Sequence, residues 1–71
     1  MSYNYQKLRG LIKEHFDTNE KFAKALGISL TTLQSRLNNT TYFDQEEIRR
    51  ANELFGVTNP EESDRIFFTR E

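Results

Sequence analysis

The chain has 71 residues, enough for one small domain, and it has no cysteine, so disulfides are excluded as a source of stability. A zinc site of the usual kind is not expected either, because thiolates are absent and His15 is the only histidine. No apolar run approaches the roughly 20 residues that are needed to cross a bilayer. We therefore expect a single soluble, cytoplasmic domain over residues 1–71 that is held together by apolar packing.

The net charge of −1 hides an uneven distribution of charged residues. Residues 1–43 contain six basic and three acidic residues, whereas residues 44–71 contain four basic and eight acidic ones. A basic first half and an acidic second half indicate two surfaces with different partners. Ordinary solvated helix faces explain the same distribution, and both interpretations remain open.

The first predicted helix runs from Tyr3 to about His15. Four apolar residues in this region follow one another at steps of three and four: Tyr5, Leu8, Ile12 and Phe16. This spacing places them on one face of a helix. Gly10 lies inside the helix and costs roughly 1 kcal/mol relative to alanine, unless a neighbouring backbone comes close to it.

The second predicted helix covers about residues 18–26. Asp17 and Thr18 are both suitable N-caps, and Asp17 also has capping-box spacing to Glu20. The helix is expected to stop at Gly27, because glycine tolerates the left-handed conformation that commonly ends a helix. Three apolar residues should face the core: Phe22, Ala23 and Leu26.

The third predicted helix covers about residues 29–38. Ser29 is a good N-cap, and Ile28 before it can pack on Leu33 at the fourth helical position. Leu33 and Leu37 are expected to face the core, which leaves the polar residues of this helix outside. The polar run that follows is predicted to form a loop.

The fourth predicted helix has the best start signal, because Asp44 has Glu47 at capping-box spacing with apolar residues on both sides of the box. It should end at Gly56, and its inner stripe consists of Ile48, Ala51 and Phe55.

A fifth short helix is predicted after Asn59, with Pro60 at its first position. A closing segment should then lie back on the bundle, and it contains Ile66, Phe67 and Phe68. The fold class is thus all-α, a compact bundle of four to five helices.

The second and third helices are separated by residues 27–29 alone, which is typical of a helix-turn-helix. Ala23 is small enough to let the third helix approach the second. Gly27 permits the reversal of the chain, and Leu33 anchors the third helix to the core. Each residue supports the motif for a separate physical reason.

Residues 18–38 resemble the DNA-binding domain of phage repressors and Cro proteins. The order of helices across residues 3–68 is similar to that lambda repressor-like family as well. The run KFAKALGIS and a closing FFT also resemble a group of small phage and prophage proteins. The resemblance implies a transcriptional regulator in a bacterial host cell. Some members of the smaller group are antirepressors, which bind the phage repressor protein.

The resemblance implies that the third helix is a recognition helix whose first residues enter the major groove. Hydroxyl and amide side chains can read base edges there, and N–H groups at the start of the second helix favour a phosphate. The candidate residues for DNA or partner binding are Asn19, Ser29, Leu30, Thr31, Thr32, Gln34, Ser35, Arg36 and Asn38. Arg36 stands where the family usually has an apolar residue, so it is expected either to turn outward toward a phosphate or to be solvated.

Two functions remain open at this point. The first is a Cro-type regulator that binds operator DNA as a dimer on paired half-sites, which the fold and the polar third helix favour. The second is an antirepressor that binds the repressor's DNA-binding domain and so blocks operator binding. The nearly uncharged third helix, the acidic second half and a loop at residues 38–43 without lysine or arginine favour the second function.

An enzyme is not expected, because the chain offers no nucleophile–base pair and no phosphate-binding loop. No cofactor is expected either. Helix capping and the helix dipole explain the carboxylates of Asp44, Glu46 and Glu47 without a metal ion.

Six phenylalanines are many to bury in so small a domain. The closing residues are therefore a candidate homodimer surface, namely Ile66, Phe67 and Phe68.

Overall fold

Five helices follow one another along residues 2–70, the part of the chain that the computed structural model describes; Met1 and Glu71 lie outside it. They are α1 (Gln6–Phe16), α2 (Asn19–Leu26), α3 (Leu30–Leu37), α4 (Gln45–Phe55) and α5 (Pro60–Phe67). Residues 2–70 contain no β-strand, only an isolated antiparallel bridge between Tyr3 and Arg70. The Cα radius of gyration is 11.0 Å, close to the value of about 11 Å for a compact chain of this length. The all-α fold class is therefore confirmed.

Helices α2 to α5 begin at polar residues that the sequence predicted, and α2 and α4 end at the predicted glycines. Thr18 rather than Asp17 caps α2, since its Oγ1 accepts a hydrogen bond from the N–H of Lys21 at 3.2 Å. Asp17 instead follows α1 with a φ of 73°, and its N–H donates to two α1 carbonyls. At the start of α4 the capping box between Asp44 and Glu47 is complete, with both side chains accepting from a backbone N–H.

Helix α1 begins at Gln6, three residues later than predicted, because the backbone before it is paired elsewhere. The N–H of Tyr3 donates to Asn39 Oδ1 at 2.8 Å, and Asn39 Nδ2 donates to the carbonyl of Tyr3 at 3.0 Å. The N–H of Asn4 donates to the carbonyl of Thr69 at 2.7 Å. These bonds hold the start of the chain against the loop after α3 and against the residues after α5.

All five helices contribute to one apolar core. Its buried residues are Tyr5, Leu8, Ile12, Phe22, Ala23, Leu26, Leu33, Leu37, Phe43, Ala51, Phe55, Ile66 and Phe67. The rings of Phe22 and Phe55 stack with a centroid distance of 5.2 Å, and this contact joins α2 to α4. The inward faces predicted for the first three helices are therefore confirmed.

The end of the chain differs from the prediction of a closing segment with an exposed apolar surface. Ile66 and Phe67 belong to the last turn of α5, and both side chains are fully buried in the core. Phe68, one residue further, is 46% exposed. Ile66 and Phe67 therefore cannot form the predicted homodimer surface, because the bundle itself already covers them. Of the three residues, Phe68 alone is available to a partner.

Gly10 is expected to be a site where alanine stabilises the protein. It lies in the exposed part of α1, and a Cβ atom there would meet no atom within 4 Å. Gly10→Ala should therefore raise the free energy of unfolding by about 0.5–1 kcal/mol. The midpoint of thermal unfolding, measured by circular dichroism, should rise by a few degrees. Gly56→Ala is the matched control. It also meets no atom, but its φ of 74° should make alanine destabilising. Equal effects of the two substitutions would contradict this assignment.

Candidate binding surface on helix α3

Helices α2 and α3 meet at a turn of three residues. Gly27 ends α2 in the left-handed conformation with a φ of 85°, and its N–H donates to the carbonyls of Ala23 and Lys24. Ser29 then caps α3, because its Oγ accepts a hydrogen bond from the N–H of Thr32 at 3.0 Å. Ala23 is 2% exposed, as a small residue between closely packed helices should be. Local capping alone thus fixes where each helix stops and starts.

One side of α3 is buried and the opposite side is polar. Leu33 and Leu37 face the core, whereas Thr31, Gln34 and Asn38 are exposed. The exposed residues follow at steps of three and four, so they lie on one side of the helix and its C-cap. We call these three residues the α3 stripe. It contains amide and hydroxyl groups that both donate and accept hydrogen bonds, and it contains no charge.

Most of the other candidate residues of this region are less accessible, and Ser29, which is exposed, caps α3 with its hydroxyl. Leu30, Thr32 and Ser35 are partly buried, and Asn19 at the first position of α2 is partly buried as well. The hydroxyl of Ser29 also donates to Thr32 Oγ1 at 2.9 Å, so these two side chains stabilise the start of α3 together. Among the predicted residues of α3, the α3 stripe therefore has the greatest freedom to contact a partner.

The sequence suggested that Arg36 turns outward, toward a phosphate or into solvent, but the structure shows that it does neither. Its Nε donates to Glu47 Oε1 at 2.6 Å, its Nη2 to Glu47 Oε2 at 2.9 Å, and its Nη1 to Thr41 Oγ1 at 2.8 Å. The side chains of Arg36 and Glu47 are only 17% and 9% exposed. The hydrogen bonds to Glu47 are the main cause that raises the pKa of Arg36 above its ordinary value. This arginine joins α3 to α4 and holds the loop between them.

Two further arginines bind the ends of helices on which they do not lie. Arg50 Nη1 of α4 donates to the carbonyl of Leu26, the last residue of α2, at 3.0 Å. Arg9 Nη2 of α1 donates to the carbonyl of Leu37, the last residue of α3, at 3.4 Å. Both arginines satisfy carbonyls that a helix end leaves free, where a cation is also favoured by the helix dipole. Sequence reasoning missed both contacts, since no local pattern links residues that far apart.

Helix α2, which packs against α3, has two basic residues on its surface. Lys21 and Lys24 are exposed, and within the described residues neither forms an ion pair. On the outer face of α4, Arg49 pairs with Glu46 and Glu53. The surface around α3 therefore offers two lysines and several uncharged polar groups.

The side chain of His15, near the end of α1, lies beside Phe55 of α4. The ring of His15 lies 5.4 Å from the ring of Phe55, and its Nε2 lies 3.9 Å from a carboxylate oxygen of Glu14. Over residues 2–70 no group of three or more His, Cys, Asp or Glu side chains could hold a metal ion. Across the same residues, no helix combines the length and apolar character needed to cross a membrane.

The fold and this surface define the class of the protein, a small five-helix bundle with an uncharged polar stripe on its third helix. Residues 1–70 match the family described as "Protein of unknown function (DUF739)", and the chain belongs to that family. No curated protein matches the sequence. The family description names no ligand and no activity.

Proposed function

We propose that the protein is a phage or prophage transcriptional regulator that binds operator DNA through a helix-turn-helix formed by α2 and α3. One observation carries the proposal, namely the α3 stripe. A solvated helix face usually contains lysine and glutamate, whereas this one contains threonine, glutamine and asparagine. Those side chains can read base edges in the major groove. The resemblance of residues 18–38 to phage repressors and Cro proteins supports the same reading.

The positions along α3 suggest separate roles for its residues. Thr31 lies at the second helical position, close to the end that enters the groove in such proteins, and Gln34 lies about one turn further. Leu30 next to them can pack on a thymine methyl group. The free N–H groups at the start of α2, near Asn19, favour a phosphate. The stripe would then supply specificity and α2 would supply the contact with the DNA backbone.

The expected affinity of one copy is low, and its dependence on salt should be shallow. Lys21 and Lys24 are the two cations available on α2, and each neutralised phosphate contributes about 0.9 to the slope of log K against log salt. A monomer should therefore show a slope near −2, and a dimer on paired half-sites a slope near −4. Lys24→Ala should reduce the slope by about 1 per copy and leave the sequence preference unchanged.

Selection from a pool of randomised DNA duplexes at low salt tests the proposal, followed by fluorescence anisotropy on the enriched sequence. Gln34→Ala and Thr31→Ala should each weaken binding by about 1–3 kcal/mol, roughly 5- to 150-fold in Kd. Gln6→Ala, which removes an exposed glutamine of α1, is the matched control and should bind like the wild type. The proposal fails if folded protein enriches no sequence, or if Gln6→Ala costs as much as Gln34→Ala.

A second candidate function is an antirepressor, in which the α3 stripe binds the DNA-binding domain of a phage repressor and blocks operator binding. The specific observation in its favour is that Arg36, the one cation of α3, is mostly buried and paired with Glu47. It is then not available to a phosphate, and an uncharged polar stripe suits a protein partner equally well. Gel filtration with the repressor encoded beside this protein should give one complex, which Gln34→Ala weakens. Two separate peaks at micromolar concentrations would contradict this candidate.

A further inference from the structure

Arg9 belongs to α1, but its guanidinium lies at the end of α3. Its Nη2 donates to the carbonyl of Leu37 at 3.4 Å, and Leu37 is followed directly by Asn38, the last residue of the α3 stripe. The one cation of α3 itself, Arg36, is mostly buried against Glu47. The packing of α1 therefore places a positive charge beside the stripe that α3 does not supply.

The contact with Leu37 leaves most of the hydrogen-bonding capacity of Arg9 unused. A guanidinium has five N–H donors, and the carbonyl accepts from one of them. At 3.4 Å this hydrogen bond is long, so a small tilt toward a second acceptor costs little. Arg9 is exposed, and across residues 2–70 it forms no ion pair. Its charge is therefore available to an anion in solution.

Exposed cations thus lie near both ends of α3. Lys24 is near the end of α2 that leads into α3, three residues before Gly27, and Arg9 is at the opposite end of α3. Eight residues make α3 about 12 Å long. The major groove is also about 12 Å wide, and a sugar–phosphate backbone borders it on each side. The spacing of these cations therefore matches phosphates on both sides of one groove.

We propose that Arg9 binds a phosphate of the operator backbone, on the side of the major groove opposite the one that Lys21 and Lys24 reach. The inference rests on the proposed function, because the phosphate belongs to the DNA on which the α3 stripe lies. A guanidinium can donate two parallel hydrogen bonds to a phosphate group. Such a contact fixes position and orientation on the duplex but carries no sequence information. Arg9 therefore contributes to affinity, and the stripe contributes to the choice of bases.

The salt dependence of DNA binding measures whether Arg9 takes part. A slope near −2 counts only the two lysines of α2, and a contact by Arg9 steepens it to near −3 per bound copy, since each neutralised phosphate contributes about 0.9. From about 50 to about 200 mM salt, the affinity of one copy should then fall about 40-fold, against about 12-fold for two contacts. Fluorescence anisotropy with the enriched duplex gives both values.

Arg9→Gln removes the charge and keeps a side-chain N–H group that can donate to the carbonyl of Leu37. Its slope should be near −2 per copy, with the same enriched sequence as the wild type. Arg9→Lys keeps the charge and should keep a slope near −3. Lys7→Ala is the matched control, because it removes one charge from the same helix about 200° around its axis. Lys7 lines a groove with Arg65 of α5, so its loss should leave the slope unchanged.

Three results would overturn the role of Arg9 and leave operator binding by the α3 stripe intact. The first is a wild-type slope near −2 per copy, which needs no variant. The second is an Arg9→Gln slope equal to that of the wild type. The third is a Lys7→Ala slope as shallow as that of Arg9→Gln, since the slope would then report net charge. A folded wild type that enriches no DNA sequence would instead overturn both the proposed function and this inference.

Discussion

The substitution Phe67→Ala is expected to lower the free energy of unfolding by about 3–5 kcal/mol, the usual cost of emptying a buried phenylalanine site. Phe67 is 1% exposed, and its ring lies edge to face with that of Phe43 at a centroid distance of 5.3 Å. A chain of this length has a total stability of only about 4–11 kcal/mol. Much of the fold should therefore be lost, and urea denaturation followed by circular dichroism measures how much.

Phe68→Ala is the natural control, because the two phenylalanines are neighbours in the sequence. Phe68 is 46% exposed, so its loss should cost less than about 1 kcal/mol. The difference between the two variants reports whether the last turn of α5 is seated in the core. Equal costs would mean that the end of α5 does not pack as described, and would restore Ile66 and Phe67 as candidates for a contact surface.

Glu47→Leu should destabilise the protein by about 3 kcal/mol. It removes the carboxylate that binds Arg36 through two hydrogen bonds, and it leaves a mostly buried guanidinium without its counter-charge. It also removes the acceptor for the N–H of Asp44 in the capping box. Most of the cost should arise from the stranded cation. Chemical denaturation of the single variants gives the value.

The double variant Arg36→Leu/Glu47→Leu should recover most of that loss, because replacing a buried ion pair by apolar side chains is often neutral or stabilising. The double-mutant cycle then isolates the coupling between α3 and α4. Glu46→Leu removes an exposed partner of Arg49 and should leave stability close to that of the wild type. A double variant as unstable as Glu47→Leu would show that the cost lies in the lost capping box or in packing instead.

The boundaries of most helices could be predicted because the interactions that set them are local. A cap such as Ser29 or Asp44 binds an N–H group three residues away, and a glycine such as Gly27 or Gly56 ends a helix by its own backbone conformation. Apolar periodicity likewise identified the buried faces of the helices. These signals span at most one or two turns and can be read from a short window of sequence.

The roles of the arginines could not be predicted in the same way. Arg36 and Glu47 lie 11 residues apart on different helices, and only the tertiary fold brings them together. Arg9 and Arg50 bind carbonyls 28 and 24 residues away in the sequence. From sequence alone Arg36 was expected to face a phosphate or solvent, and no role was predicted for Arg9 or Arg50. The ion pair with Glu47 takes the charge of Arg36 away from the polar side of α3, whereas Arg9 and Arg50 remain exposed to solvent.

By itself, the sequence determined that the protein is an all-α bundle, where four of its five helices start, and which face of α3 is polar. Only the tertiary structure decided which phenylalanines at the end of the chain are buried and which partners the arginines bind. Phe67 and Phe68 are adjacent and chemically identical, yet one is buried in the core and the other is half exposed. The reason is physical: burial and ion pairing depend on contacts between segments far apart in sequence, which no local pattern records. The residues of the α3 stripe are exposed, as the sequence predicted, whereas Arg36 is paired with Glu47 and mostly buried.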